Sequence, residues 1–82
     1  MNGYKIGTVT HFYPHLGMAI VDLSASVHVG DFIGVNGSVE FTQTVQVLQI
    51  EHEQVQSADK GDTVGLKLKS VVNIGDEIYK SF

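Results

Sequence analysis

Cysteine and arginine are both missing from this chain of 82 residues, and each absence excludes a class of function. Without cysteine there is no disulfide framework to suggest secretion and no thiolate to hold a structural metal. Without arginine the chain lacks the planar fork that grips phosphate with two hydrogen bonds, and nine acidic residues against five lysines leave a net charge of -4. That balance argues against strong non-specific binding to a phosphate backbone. Long apolar runs are missing too. Nothing approaches the roughly 18 residues that a membrane helix needs, and the opening MNGYKIG has neither the charged flank nor the apolar stretch of a secretory signal. A soluble, cytoplasmic protein is the expectation. Helical periodicity is absent as well, with nine glycines scattered along the chain and no apolar spacing of three to four sustained for three turns.

What is present belongs to a folded chain: 43% hydrophobic and 17% charged residues, far from a disordered composition. The length allows one domain, residues 1–82, and one core. β-Branched residues and period-two patterns dominate. Strands are predicted from Tyr4 to Phe12 and from Met18 to Leu23, joined as a hairpin across Pro14 and Gly17, and from Gly30 to Val35. Asn36-Gly37 predicts a tight type I′ turn into a long strand from Ser38 to Ile50. The apolar parity of that strand shifts from Val45 and Val47 to Leu48 and Ile50, which predicts a bulge or bend near residue 47. A short strand near Gln54 to Gln56 precedes Thr63 to Lys69, with Val64, Leu66 and Leu68 inward and Gly65, Lys67 and Lys69 outward, and Glu77 to Lys80 closes the set.

Glycine-aspartate recurs just before a strand at VGDFI (29–33), KGDTV (60–64) and IGDEI (74–78). Each pair predicts a turn, with glycine taking a conformation other residues avoid and the carboxylate accepting a nearby amide. The spacings of 31 and 14 residues are unequal, so no tandem repeat is implied. About six strands with short turns predict an all-β fold, a small antiparallel β-barrel closed to remove its edges.

These same residues carry a resemblance. VGDFIGVNG, then VQVLQIEHEQVQSADKGDTVGLKL, then IGDEIYK resembles, in order, the second domain of translational GTPases of the elongation factor Tu type. The wording around Phe41, Gln43, Val45, Gln49 and Ile50, and from Val64 to Lys69, is similar to the C-terminal domain of collagenase-like peptidases of U-type family 32. The resemblance spans roughly residues 5–80 and implies a barrel of the translation-factor domain 2 type. Both families keep their catalytic parts in other domains, and no G-x-x-x-x-G-K-[ST] loop is present here, so neither nucleotide hydrolysis nor proteolysis carries over. The implied role is a non-catalytic module, acting as a monomer without cofactor, that contacts RNA, the ribosome or a partner protein.

Few side chains qualify as candidate sites. His11, His15, His28 and His52 lack the acids or thiolates of a metal site, no serine sits in a nucleophile elbow, and Glu51 with Glu53 predicts a solvated turn rather than a tuned pair. An RNA surface is predicted from the outward Lys67 and Lys69 together with the ring-rich turn His11, Phe12, Tyr13 and His15, on which bases would stack while the lysines meet phosphates. The competing expectation is a protein-docking barrel that works with a separate catalytic chain, with Val71, Val72, Ile74, Tyr79 and Phe82 exceeding what one closing strand needs for the core.

Overall fold

A computed structural model describes residues 3–81; Phe82, one of the surplus apolar residues, lies outside them. The described residues form ten strands: β1 (Gly3–Tyr13), β2 (Met18–Leu23), β3 (Val27–His28), β4 (Phe32–Asn36), β5 (Glu40–Thr44), β6 (Leu48–Ile50), β7 (Glu53–Gln54), β8 (Ser57–Ala58), β9 (Thr63–Lys67) and β10 (Glu77–Ser81). Eight of them make one antiparallel sheet in the order β5-β4-β10-β1-β2-β9-β6-β7, and β3 pairs with β8 in a second, smaller one. This is the all-β, barrel-like fold expected, with six strands of five or more residues and four shorter ones.

Strand β1 organises the sheet. Its middle residues Gly7 and Thr8 pair on one side with Ile78 and Glu77 of β10 and on the other with Leu23 and Asp22 of β2. The register slips between Lys5 and Gly7 and again between Val9 and His11, which bends a long strand as a rolled sheet requires. The expected hairpin of β1 and β2 is present, turned by residues 14–17.

The predicted long strand from Ser38 to Ile50 is broken instead. Residues 45–47 leave the ladder, and the two halves go to opposite ends of the sheet order, β5 beside β4 and β6 beside β9. The shift of apolar parity marks this break, because Val45 and Leu48 must both face the core although they are three residues apart. The seam that results is clasped by one side chain. Gln43 Nε2 donates to the Lys67 carbonyl at 2.9 Å, and its Oε1 accepts the Lys69 amide at 2.8 Å, as a strand neighbour would. The Lys67 amide adds a longer bond of 3.3 Å to the Val47 carbonyl.

All three glycine-aspartate pairs build the same object. In each, the aspartate amide bonds to the carbonyl three residues back, and its carboxylate accepts that same residue's amide: His28 to Asp31, Asp59 to Asp62, and Asn73 to Asp76, at 2.8–2.9 Å. The glycines sit at φ of 98°, 94° and 95° with open space around them, so conformation alone requires them. Each turn then grips one buried residue by both peptide groups. The glycine amide donates to that residue's carbonyl and the aspartate carbonyl accepts its amide: Val45 for the first turn, Leu23 for the second, Val9 for the third, at 2.8–2.9 Å.

Asp76 differs from its two counterparts by being buried, the only charged residue in the described core. Its carboxylate also accepts the Ser38 amide at 2.9 Å and the Ser38 hydroxyl at 2.7 Å, which ties the turn before β10 to the loop between β4 and β5. A Cβ on Gly37 would collide with the same carboxylate. The predicted type I′ turn at Asn36-Gly37 is therefore replaced by a three-residue loop, residues 37–39, closed by the Asn36–Glu40 pair and shaped around Asp76.

The core is aliphatic. Ile6, Val9, Val21, Ile33, Val35, Leu48, Val64, Leu66 and Ile78 are among its fully buried side chains, while Phe12 and Phe41 only pack against it. Val64, Leu66 and Leu68 face inward as expected. Val72 and Ile78 fill the core, while Val71 and Ile74 are exposed.

Asp76 and Gln43 are the two polar side chains that join separate parts of the sheet. Burial would raise the pKa of Asp76, but the hydrogen bonds from the Asn73 amide and from the Ser38 amide and hydroxyl outweigh it and hold it below the ordinary 3.8. A lowered native pKa contributes stability that is complete above the unfolded value and is lost as pH falls through the native one. Asp76→Asn is expected to cost about 2–4 kcal/mol in urea denaturation at pH 7 and to flatten the loss of stability below about pH 4. Gln43→Ala is expected to cost about 1–2 kcal/mol, with faster hydrogen exchange at the Lys69 amide as the local signature.

Candidate binding surface

The outer face of β1, β2, β9, β6 and β7 presents side chains in rows set by strand register. One row runs Tyr13, Met18, Lys67 and the next runs His11, Ile20, Gly65, Gln49, Gln54, since residues paired across antiparallel strands share a face. Gly65 has no side chain, so a groove opens above it. Tyr13, Leu16, Met18, Ile20 and Ile50 supply apolar walls, and Gln49, Glu51, His52, Asp62 and Thr63 supply polar ones, around a volume of about 490 Å³. None of these apolar residues belongs to the fully buried core, and Tyr13 and Leu16 remain 46% and 62% exposed.

One lip of the groove is conformationally strained. Glu51 and His52 form the two-residue loop between β6 and β7, with φ of 51° and 67°. This is the type I′ geometry foreseen for Asn36-Gly37, realised by two residues that incur a steric penalty for it. The solvated turn expected around Glu51 and Glu53 is thus a tight hairpin tip that carries Ile50 and Glu51 into the groove wall. Sequence inspection missed it because neither residue is a usual turn former.

The expected RNA residues divide between faces. The His11 and Tyr13 rings lie 4.4 Å apart on the outer face, whereas Phe12 turns the other way and packs against the core, as alternation along β1 demands. His15 is exposed in the hairpin turn. Lys67 and Lys69 line a second, smaller groove of about 330 Å³ with Gln43, Thr44, Gln46 and Leu68. There the Lys69 ammonium lies 5.8 Å from the centre of the Phe41 ring. Tyr13 and Lys67 stand in one row of the outer face with Met18 between them, whereas Lys69 lines only the second groove.

Two clusters of titratable groups lie elsewhere on the surface. Lys5 Nζ lies 2.9 Å from Glu77 Oε2, and the Tyr79 hydroxyl donates to Glu77 Oε1 at 3.0 Å. The bonds from Lys5 and then Tyr79 hold the Glu77 carboxyl below its usual range, and the bond to Glu77 pushes the Tyr79 hydroxyl up. Asp31 is shared by Lys80 at 3.5 Å and His28 at 3.8 Å. No group of three histidine, aspartate or glutamate side chains converges among the described residues. The outer surface of the described residues thus carries two grooves.

No family model matches the chain. It is 35% identical over 77 residues to an uncharacterized protease of Methanocaldococcus jannaschii, a match that takes in 92% of this chain and 19% of that protein. It is 27% identical over 78 residues to a collagenase of Porphyromonas gingivalis, covering 92% of this chain and 22% of the relative. The chain thus spans about a fifth of the length of the curated relatives it matches. Among solved structures it superposes on the C-terminal domain of a Geobacillus thermoleovorans protein assigned to the U32 peptidases, with a TM-score of 0.90 at 22% identity over 96% of this chain and 93% of that one. The selenomethionine form of that domain gives 0.88, over 93% and 98% of the two chains. The sequence relatives are thus a protease and a collagenase, and the fold is shared with the C-terminal domain of a protein assigned to the U32 peptidases. The likeness to translation-factor second domains rests on the sequence motifs alone.

The strain at the hairpin tip has a direct consequence. Replacing Glu51-His52 by Asn-Gly, which suits the same backbone, is expected to raise stability by about 1–2 kcal/mol in thermal denaturation. Unchanged or lower stability would show that the native pair compensates its strain through other contacts.

Proposed function

We propose that this chain is a non-catalytic binding barrel that holds polypeptide beside the catalytic part of a U32-type peptidase. The groove above Gly65 carries the reading: Tyr13, Leu16, Met18 and Ile20 line it without belonging to the aliphatic core or packing against it, and Ile50, which packs against the core, completes its apolar wall. Exposed apolar walls with a polar rim are the usual composition of a protein-binding patch. The net charge of -4 favours the same choice, since a polypeptide does not require a cationic surface. The relatives support the setting. They are named as peptidases, and four-fifths of their length lies outside the matched segment, which leaves room for catalysis elsewhere in those proteins.

A second reading, contact with RNA or the ribosome, is favoured by one observation: Lys67 and Lys69 share the smaller groove with the polar side chains of Gln43, Thr44 and Gln46. The two readings separate by ionic strength. Labelled gelatin and unfolded, thiol-blocked lysozyme are the polypeptide probes, and an oligouridylate is the RNA probe. Polypeptide binding is expected to persist at about 0.3 M salt, without cleavage of the probe, because apolar contact is insensitive to screening. Binding of the oligouridylate alone, falling steeply with salt, would overturn the polypeptide reading, and hydrolysis of the polypeptides by the chain itself would overturn its non-catalytic part. Lys67→Glu with Lys69→Glu is expected to leave polypeptide binding intact and to change stability by less than about 1 kcal/mol, the scale of one exposed cation–π contact. The same double change would abolish any oligouridylate binding.

A further inference from the structure

Glu51, Glu53, Asp59 and Asp62 form an acidic stretch relieved only by Lys60, and the architecture uses it in part. Asp62 closes its turn by accepting the Asp59 amide. Glu51 makes no hydrogen bond or ion pair among the described residues, yet it is held at the lip of the apolar groove by the strained tip of β6 and β7. Asp62 lines the same groove. The cavity therefore pairs an apolar floor and walls with two carboxylates, while Lys67 lies beyond Met18 and Lys60, on the same turn as Asp62, does not line it.

We propose that the groove accepts one apolar side chain of leucine, methionine or phenylalanine size from an extended basic segment of the bound polypeptide, with lysine or arginine residues two positions to either side meeting Glu51 and Asp62. This deepens the polypeptide-binding reading and rests on it. The volume of about 490 Å³ lies within the roughly 300–1,000 Å³ typical of sites that enclose a compact group. Burial of the apolar side chain against Met18, Ile20 and Ile50 supplies the attraction, and the carboxylates choose among segments by charge. The same carboxylates disfavour a phosphate backbone in this groove. Backbone strain of the kind seen at Glu51 and His52 gathers at ligand clamps, where it pre-positions the contacting groups.

The test is a titration of the isotopically labelled chain, followed residue by residue by NMR, with three blocked peptides: Lys-Gly-Leu-Gly-Lys, its glutamate counterpart Glu-Gly-Leu-Gly-Glu, and Lys-Gly-Ala-Gly-Lys. The lysine–leucine peptide is expected to give saturable shifts at the amides of Ile20, Ile50, Glu51 and Gly65, with the other two binding about tenfold more weakly or less. Gly65→Val fills the floor, and its Cβ meets only the flexible tip of Met18 closely, at 3.1 Å, so the variant is expected to fold and to lose the response. Glu51→Gln, at an exposed position, is expected to keep leucine binding and to narrow the preference for lysine over glutamate.

Equal responses to the three peptides, shifts confined to another face, or no saturable shift up to about 5 mM peptide would overturn the proposal. So would an oligouridylate that moved the same four amides, which would place nucleic acid in the groove. Binding of unfolded lysozyme without any response to the lysine–leucine peptide would leave the polypeptide reading standing and remove only the assignment of this groove.

Discussion

The buried carboxylate of Asp76 is the constraint on which the barrel depends. A charge in an aliphatic core is tolerated only when its lone pairs are satisfied, and here the Asn73 amide and the Ser38 amide and hydroxyl satisfy them. Those donors come from two loops, one before β10 and one between β4 and β5. Strand β10 lies between β4 and β1, so the carboxylate sets how the central part of the sheet joins its β5 edge. The neighbouring Gly37 has to be glycine because the carboxylate occupies the space a side chain would need.

The same logic is repeated in a simpler form at Asp31 and Asp62. There the aspartate only closes its own turn, but the peptide groups beside it still clamp a core residue, Val45 or Leu23, as those of the third turn clamp Val9. What recurs is the clamp and not a stretch of chain, which explains how equivalent turns stand at unequal spacings. Three such clamps let a small, disulfide-free chain hold its core from three places with backbone hydrogen bonds alone.

The outer surface follows from the architecture that the clamps hold. With the inward positions filled by aliphatic side chains, Tyr13, Met18 and Ile20 are left on the outer face by strand alternation, and Gly65 leaves a hollow between them. The proposed binding role uses such a surface. The fold that presents it is shared with the C-terminal domain of a protein assigned to the U32 peptidases, over 96% of this chain.

Much of the fold is legible in the order of residues alone. Period-two alternation places Val64, Leu66 and Leu68 inward and Met18–Leu23 in a strand, and the glycine-aspartate pairs mark three turns, because side-chain alternation and backbone conformation are local properties that a few adjacent residues settle. The break at residues 45–47 shows only as a shift of parity, and its destination does not show at all, since pairing β6 with β9 is a choice among distant partners. The turn at Asn36-Gly37 misleads because a tertiary contact, the Asp76 carboxylate, outweighs local turn preference, while Glu51-His52 adopts the reversed turn that its residue types do not advertise. Adjacent residues therefore specify the strand class, the inward faces and the three aspartate turns. Only the folded chain decides which aspartate is buried, how the seam is clasped by Gln43, and that Tyr13, Ile20, Ile50 and Gly65 meet in one groove, because each of these depends on residues far apart in the chain coming within contact distance.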